Sequence, residues 1–147
     1  MVRRPSKDPV HSWRSRRYSR AGKRLERTVA EALEVILAWL NLPDVRVVLV
    51  SHAPYDVELI RGRRRAFVEV KGSTRYDWLV GRVSEAFRRE HPEPFCVVGV
   101  LGYPRAAESL LSGRAPAWIW TGPGRDGRLG SLTRGVVRRW LRQAGLL

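Results

Sequence analysis

Asp56, Glu69 and Lys71 have the residue types and spacing to do chemistry together. In the run Ala66-Phe67-Val68-Glu69-Val70-Lys71, β-strand alternation puts Ala66, Val68 and Val70 on one face and Phe67, Glu69 and Lys71 on the other. An acid and an amine then share a face of a strand that otherwise reads as buried. Residues 55–60 read as the preceding strand, opened by Asp56, and residues 61–64 as the turn of a hairpin. Asp56 and Glu69 can therefore approach one point from neighbouring strands. Two carboxylates converging there repel unless a cation sits between them. Hard oxygen donors with open coordination positions suit Mg²⁺ (or Mn²⁺), which keeps waters and engages phosphate.

The helix that must back this hairpin runs from about Ala21 to Leu40. At 100° per residue Leu25, Val29, Leu33, Ile36, Leu37 and Leu40 form one apolar stripe. Glu26 falls inside the stripe, where a carboxylate is costly without a partner. Glu31 points to the opposite side and Glu34 lies well off the stripe, so both read as solvated. Lysine usage singles out Lys71 independently. After Arg24 the chain has 18 Arg and one Lys, which is Lys71. A surface cation in this chain is by habit Arg, whereas a compact ammonium with a tunable pKa does what a guanidinium cannot.

The remaining elements follow from periodicity. Residues 45–50 are a near-continuous β-branched run and read as a buried strand; 77–90 as a helix with Leu79, Val83, Ala86 and Phe87 on its apolar face; 95–101 as another buried strand. Residues 104–112 read as a short helix opened by Pro104, 117–121 as a strand, 122–130 as a loop without the Gly-Lys-Ser/Thr ending of a phosphate loop, and 132–144 as an amphipathic helix. Helix, three-strand meander, helix, strand, helix, strand, helix is an α/β arrangement about one mixed sheet, with no repeat and no second domain. Residues 1–20, with seven Arg or Lys and interleaved Trp13 and Tyr18, read as a basic flexible arm ahead of the domain at 21–147. That arm is either a frayed terminus or a segment lying along phosphates.

Composition sets the class. The chain carries 28 basic and 14 acidic residues, a net charge of +14, and such a field favours polyanions, nucleic acid first. No apolar run reaches the roughly 20 residues of a membrane span. The basic N-terminus has no apolar stretch behind it and does not read as a signal peptide. The single Cys96 excludes a disulfide framework and a zinc cluster and reads as a small buried residue. The expectation is a soluble cytoplasmic protein without membrane contact, from a prokaryote, an archaeal virus or a thermophile. Single Asn41 and Gln143 suit the last of these. His11, His52 and His91 are isolated and read as loop histidines. Trp118 and Trp120 share a strand face and read as core or dimer contacts, and Glu58 as a solvated edge residue.

Asp56 followed by Glu69-Val70-Lys71 on the next strand, with Glu26 on the preceding helix, resembles the PD-(D/E)xK nuclease superfamily. The segments Gly22-x-x-x-Glu26, Tyr55–Ile60 and Phe67-Val68-Glu69-Val70-Lys71-Gly72-Ser73 are similar to archaeal Holliday-junction resolvases and to Mrr-like restriction endonucleases. The resemblance covers about residues 21–102. One departure stands out: Tyr55 separates Pro54 from Asp56, where the superfamily's name records an adjacent pair.

The resemblance implies a restriction-endonuclease-like central mixed β-sheet flanked by helices. It implies that Asp56 and Glu69 hold the metal with the Val70 carbonyl, that Lys71 orients or activates the attacking water, and that Glu26 serves a second metal or a metal-bound water. The expected activity is metal-assisted hydrolysis of DNA phosphodiesters, selective for branched or junction DNA over duplex, by a homodimer that cuts two strands. Arg14, Arg16, Arg17, Arg20, Lys23, Arg63, Arg64 and Arg75 are the expected phosphate contacts. The rival readings are a sequence-specific restriction-type enzyme, a non-catalytic nucleic-acid-binding module on the same fold, and an RNA-directed protein.

Overall fold

The computed structural model describes residues 9–50, 55–121 and 130–147, with side chains at 20–50, 55–121 and 132–147. Helix α1 spans Pro9–Trp39, so regular structure starts well before Ala21 and takes in residues 9–20 of the expected arm. Proline is at home in a first helical turn, where its missing N–H has no partner to lose, and that signal in the sequence outweighs the lack of apolar periodicity before residue 21. The expected stripe is buried up to its last member: Leu25, Val29, Leu33, Ile36 and Leu37 are all at most 3% exposed, and Leu40 is half-buried. The helix ends in a Schellman motif. Leu42 N–H donates to the Leu37 carbonyl and Asn41 N–H to that of Ala38, both at 3.0 Å, with Asn41 in the left-handed region at φ +57°. The chain's only Asn thus occupies a position that few non-glycine residues tolerate.

The sheet has six strands in sequence order: β1 (Arg46–Leu49), β2 (Val57–Arg61), β3 (Arg64–Ser73), β4 (Phe95–Leu101), β5 (Ala117–Trp120) and β6 (Gly130–Ser131). All neighbours pair antiparallel except β3 and β4, which run parallel and are joined through helix α2 (Tyr76–Arg88). The β2–β3 turn places Gly62 at φ +61°, the positive φ that a two-residue hairpin loop requires. Helices α3 (Ala107–Leu111) and α4 (Arg134–Gln143) complete the fold. The Thr133 hydroxyl caps α4 by accepting from the Val136 N–H.

The result is one α/β domain with a mixed sheet between two helical layers. Val57, Leu59, Ala66, Val68, Val70, Cys96, Val98, Val100 and Ile119 join α1, α3 and α4 in the larger core. On the other face Leu79, Val83 and Ala86 of α2 pack on Val97 and Trp120. The alternation read in β3 therefore holds, and Cys96 is buried and free. Three elements differ from expectation. Strand β1 is a sheet edge, with Leu49 44% exposed, because its continuous apolar run has a pairing partner on one side only. Helix α3 is shorter than 104–112, and the pairing of β6 with β5 was not anticipated. Residues 122–129 of the expected loop lie outside the described residues, as do His52 and Pro54. No helix among the described residues is long and apolar enough to cross a membrane.

Candidate active site

The site forms where β2 starts and β3 runs on past it. Antiparallel register pairs Val57 with Val68, which places Asp56 opposite Glu69. The Asp56 N–H still donates to the Val68 carbonyl at 3.0 Å. One step further the backbone ladder gives out, and the Asp56 carboxylate replaces it: Oδ2 accepts from the Val70 N–H at 2.7 Å. In a strand the N–H and carbonyl of one residue point the same way, so the Val70 carbonyl faces the same gap as Asp56. The segment entering Asp56 is anchored by Tyr55, stacked on Phe67 with ring centroids 4.3 Å apart. The Tyr55 hydroxyl donates to His91 Nδ1 at 3.0 Å, while His91 Nε2 donates to the Ala86 carbonyl at 2.6 Å. His91, read from the sequence as isolated, therefore ties β2 to the end of α2.

Glu26 reaches the same gap from α1. Its carboxyl is hydrogen-bonded to Asp56 and its pKa is pushed up to about 7, first by burial, then by the negative charge of Asp56 and by that hydrogen bond. The Asp56 pKa is raised too, chiefly by burial, against the lowering effects of the Val70 N–H and the Lys71 charge. Glu31 and Glu34, by contrast, are exposed on the outer side of α1.

Glu69 approaches from the α2 face and is wholly buried. Its Oε1 accepts from the Arg89 guanidinium. Its Oε2 lies 3.5 Å from Lys71 Nζ and makes no hydrogen bond. A buried carboxylate oxygen without a hydrogen-bond donor has an unmet acceptor position, even with an ammonium charge nearby. Lys71 itself is 31% exposed and opens onto a groove of about 290 Å³ lined by Gly22, Glu26, Val70, Gly72, Arg82 and Tyr103, among others. Gly72 has a packing reason: a Cβ there would stand 2.6 Å from Leu25 Cδ2 and 2.8 Å from Tyr103 Cε1. Its carbonyl accepts from the Tyr103 hydroxyl at 3.0 Å and from Arg82 Nη1 at 3.2 Å. A larger groove, about 660 Å³, lies between the end of α1 and β1, away from these acids.

The structure thus brings Glu26, Asp56, Glu69, Val70 and Lys71 to one end of the sheet. It does not bring all of the expected phosphate contacts there. Arg63 and Arg64 sit at the hairpin tip, at the far end of β3, and Arg64 donates to the Gly145 carbonyl. Arg20 and Lys23 are exposed on α1, and the side chains of Arg14, Arg16 and Arg17 lie outside the described residues. Arg75 stands at the start of α2, close to the site end of β3, in an ion pair with Asp77. Glu58, expected as a solvated edge residue, is only 16% exposed because β2 lies inside the sheet, and it pairs with Arg65 at 3.2 Å; Trp120 belongs to the core beneath α2. Arg82 and Arg89 escaped the sequence reading, because arginines on the polar side of an amphipathic helix look solvated. Only packing turns them toward β3.

Among the described residues no three acid, imidazole or thiol groups are already gathered at metal-binding distances. The donor set nevertheless fits a hard divalent cation. It offers carboxylates on Asp56 and Glu69, a backbone carbonyl aimed into the same gap, and an orphaned buried oxygen on Glu69. No protein-family model matches this chain, and neither a curated protein nor a solved structure is significantly similar to it.

Proposed function

We propose that this chain is a metal-dependent nuclease that hydrolyses DNA phosphodiesters, on a restriction-endonuclease-like fold. The observation that carries the reading is Oε2 of the buried Glu69, without a hydrogen bond and 3.5 Å from the chain's one lysine after Lys23, beside Glu26 and Asp56, whose pKa values are both raised. Two raised acids and a third buried one are an expensive arrangement for a purely structural purpose.

Asp56, Glu69 and the Val70 carbonyl would hold Mg²⁺ or Mn²⁺, with Glu26 as a further acid at the edge of the site. A bound divalent cation supplies Lewis-acid stabilisation of phosphorane charge and a more acidic water. The chain's own groups do the rest. Val70 N–H fixes the Asp56 carboxylate. The ammonium of Lys71, reaching the groove from β3, offsets charge on the scissile phosphate and positions the attacking water. Glu26, with a pKa of about 7, can accept or release a proton near neutral pH. Arg82, on the groove wall, is placed to take a non-bridging phosphate oxygen. The net charge of +14 supports a polyanionic substrate. The reading extends to selection by DNA structure, with branched or junction DNA the first choice and a homodimer for two cuts.

The test is cleavage of plasmid, linear duplex, flap, four-way and RNA substrates with Mg²⁺, and again in EDTA. Asp56→Asn and Glu69→Gln should abolish turnover while leaving DNA binding intact or tighter, since each removes a negative charge from the phosphate site. Metal-independent cleavage, or full activity in either variant, refutes the reading. Binding without cleavage by the unmodified chain on every substrate leaves a nucleic-acid-binding module.

A further inference from the structure

Trp78, in the first turn of α2, is 56% exposed, the most exposed large apolar side chain among the described residues. Neither core uses it. The Arg75 guanidinium lies 4.6 Å from the Trp78 ring centroid. Asp77 holds it there through Nε at 3.2 Å and Nη2 at 2.9 Å. The indole and guanidinium thus form a paired planar surface that faces solvent.

Position on the helix ties this surface to the site. Arg82 follows Trp78 by four residues, so the two share one side of α2, and Arg89, just past the helix end, lines one groove together with Arg82. Arg82 lies about one turn, roughly 5.4 Å, further along. It lines the groove with Lys71 and Glu26, and Arg82, Lys71, Glu85 and Arg89 line the adjoining one. The stripe therefore leads from an exposed indole, past cations, to the buried acid that Arg89 holds.

Its charge identifies the occupant. The surroundings are Arg75, Lys71, Arg82 and Arg89 against Glu85 and the already paired Asp77, which is poor company for another protein's apolar face. It suits a ligand that joins flat aromatic groups to regularly spaced anions. Bases stack on indole and guanidinium whatever their identity, and the cations take the phosphates. In a duplex both faces of an interior base are already covered, so an unpaired base is the one that can stack here.

We infer that Trp78 and Arg75 form a stacking platform for an unpaired base, from which the strand runs past Arg82 to Lys71. The placement of the scissile phosphate rests on the nuclease reading; the stacking does not. The site then takes DNA that is single-stranded on one side of the phosphate to be cut, as at a flap, a splayed end or an open junction.

The experiment is fluorescence anisotropy of the unmodified chain and of Trp78→Ala and Trp78→Phe in EDTA. The probes are one labelled single strand, its blunt duplex, a duplex with an unpaired tail, the same tail made abasic, and an RNA copy of the single strand. Trp78→Ala should weaken binding to the single strand and the tailed duplex by about 5- to 150-fold, the range for loss of one stacked base. Trp78→Phe should recover most of that loss. The abasic tail should bind the unmodified chain as weakly as the normal tail binds Trp78→Ala, and blunt duplex affinity should change less than twofold. Equal weakening on all probes, no weakening, or no binding of any probe overturns the inference. A shift from dimer to monomer in sedimentation of Trp78→Ala also overturns it, by making Trp78 a contact between copies. Because no cleavage is measured, platform and nuclease activity fail separately: the single-strand preference can stand in a chain that cuts nothing, and a nuclease can lack it. Tighter binding of the RNA copy would retain the platform and move the substrate from DNA to RNA.

Discussion

Replacing Arg89 with Met tests how the buried acid is held. Glu69 is fully buried, its Oε1 accepts from Arg89, and its Oε2 faces Lys71 Nζ at 3.5 Å without a hydrogen bond. A unit-charge pair at that separation interacts by about 5 kcal/mol at an effective dielectric near 20. Removing one partner of a dry buried pair costs about 3–5 kcal/mol. The Arg89 side chain is 45% exposed and that of Lys71 31%, so solvent screens both pairs. Arg89→Met keeps the aliphatic stem and deletes the charge, and should cost about 2 kcal/mol, or roughly 4–8 °C in Tm. Glu69→Gln should cost less, because an amide needs no counter-charge. In the Glu69→Gln background, Arg89→Met should cost about 0.5 kcal/mol, leaving a coupling of about 1.5 kcal/mol. Urea unfolding of the four proteins at pH 7 in EDTA measures the cycle. Additive costs, with coupling below about 0.5 kcal/mol, would refute the claim that Arg89 is the counter-ion of Glu69.

Glu26 sets a pH dependence whose sign is fixed. Its folded pKa of about 7 lies above the ordinary 4.5, so the stability it contributes is fully present below pH 4.5 and lost as pH rises through 7. The raised Asp56 acts in the same sense. In EDTA, stability should fall by about 1–2 kcal/mol from pH 4.5 to 8, the full shift of roughly 3 kcal/mol being reduced by solvent at a partly exposed group. Glu26→Gln should remove most of that slope, and an unchanged slope counts against the pair. Lys71→Arg should lower turnover about 100-fold or more despite keeping the charge, since a planar guanidinium cannot serve as a compact, tunable amine; near-normal rates would reduce Lys71 to a phosphate contact. Glu26→Ala should reduce cleavage while Glu31→Ala, on the exposed side of α1, should match the unmodified chain, and the reverse result would contradict the placement of α1.

Much of the architecture is local information. The 3.6-residue stripe of α1, the alternation in β3 and the β-branched run of β4 each state which side is buried, because burying a mismatched face costs more than any propensity can return. The same alternation put Glu69 and Lys71 together, and hairpin register put Asp56 opposite Glu69. Where the pattern misled, a neighbour decided the outcome. Val45–Val50 reads the same whether a strand has one partner or two, and its place at the sheet edge depends on the order of all the strands. The start of α1 at Pro9 is signalled by one residue, which periodicity cannot see.

By itself the sequence determined a mixed α/β sheet, the buried face of β3, and the convergence of Asp56, Glu69 and Lys71 with Glu26 on the neighbouring helix. Those are consequences of residue type and of periods of two and 3.6, which need no knowledge of distant contacts. Only the tertiary structure decided that Glu26 and Asp56 share a hydrogen bond and that both pKa values rise. It alone turned Arg89 inward to Glu69, gave Tyr55 its bond to His91, and left Trp78 in solvent beside Arg75. Each of these depends on distances between residues 3 to 36 positions apart in sequence and on how much water remains between them. Coulomb energy and desolvation are functions of distance and exposure, and neither is written in the order of residues along a chain.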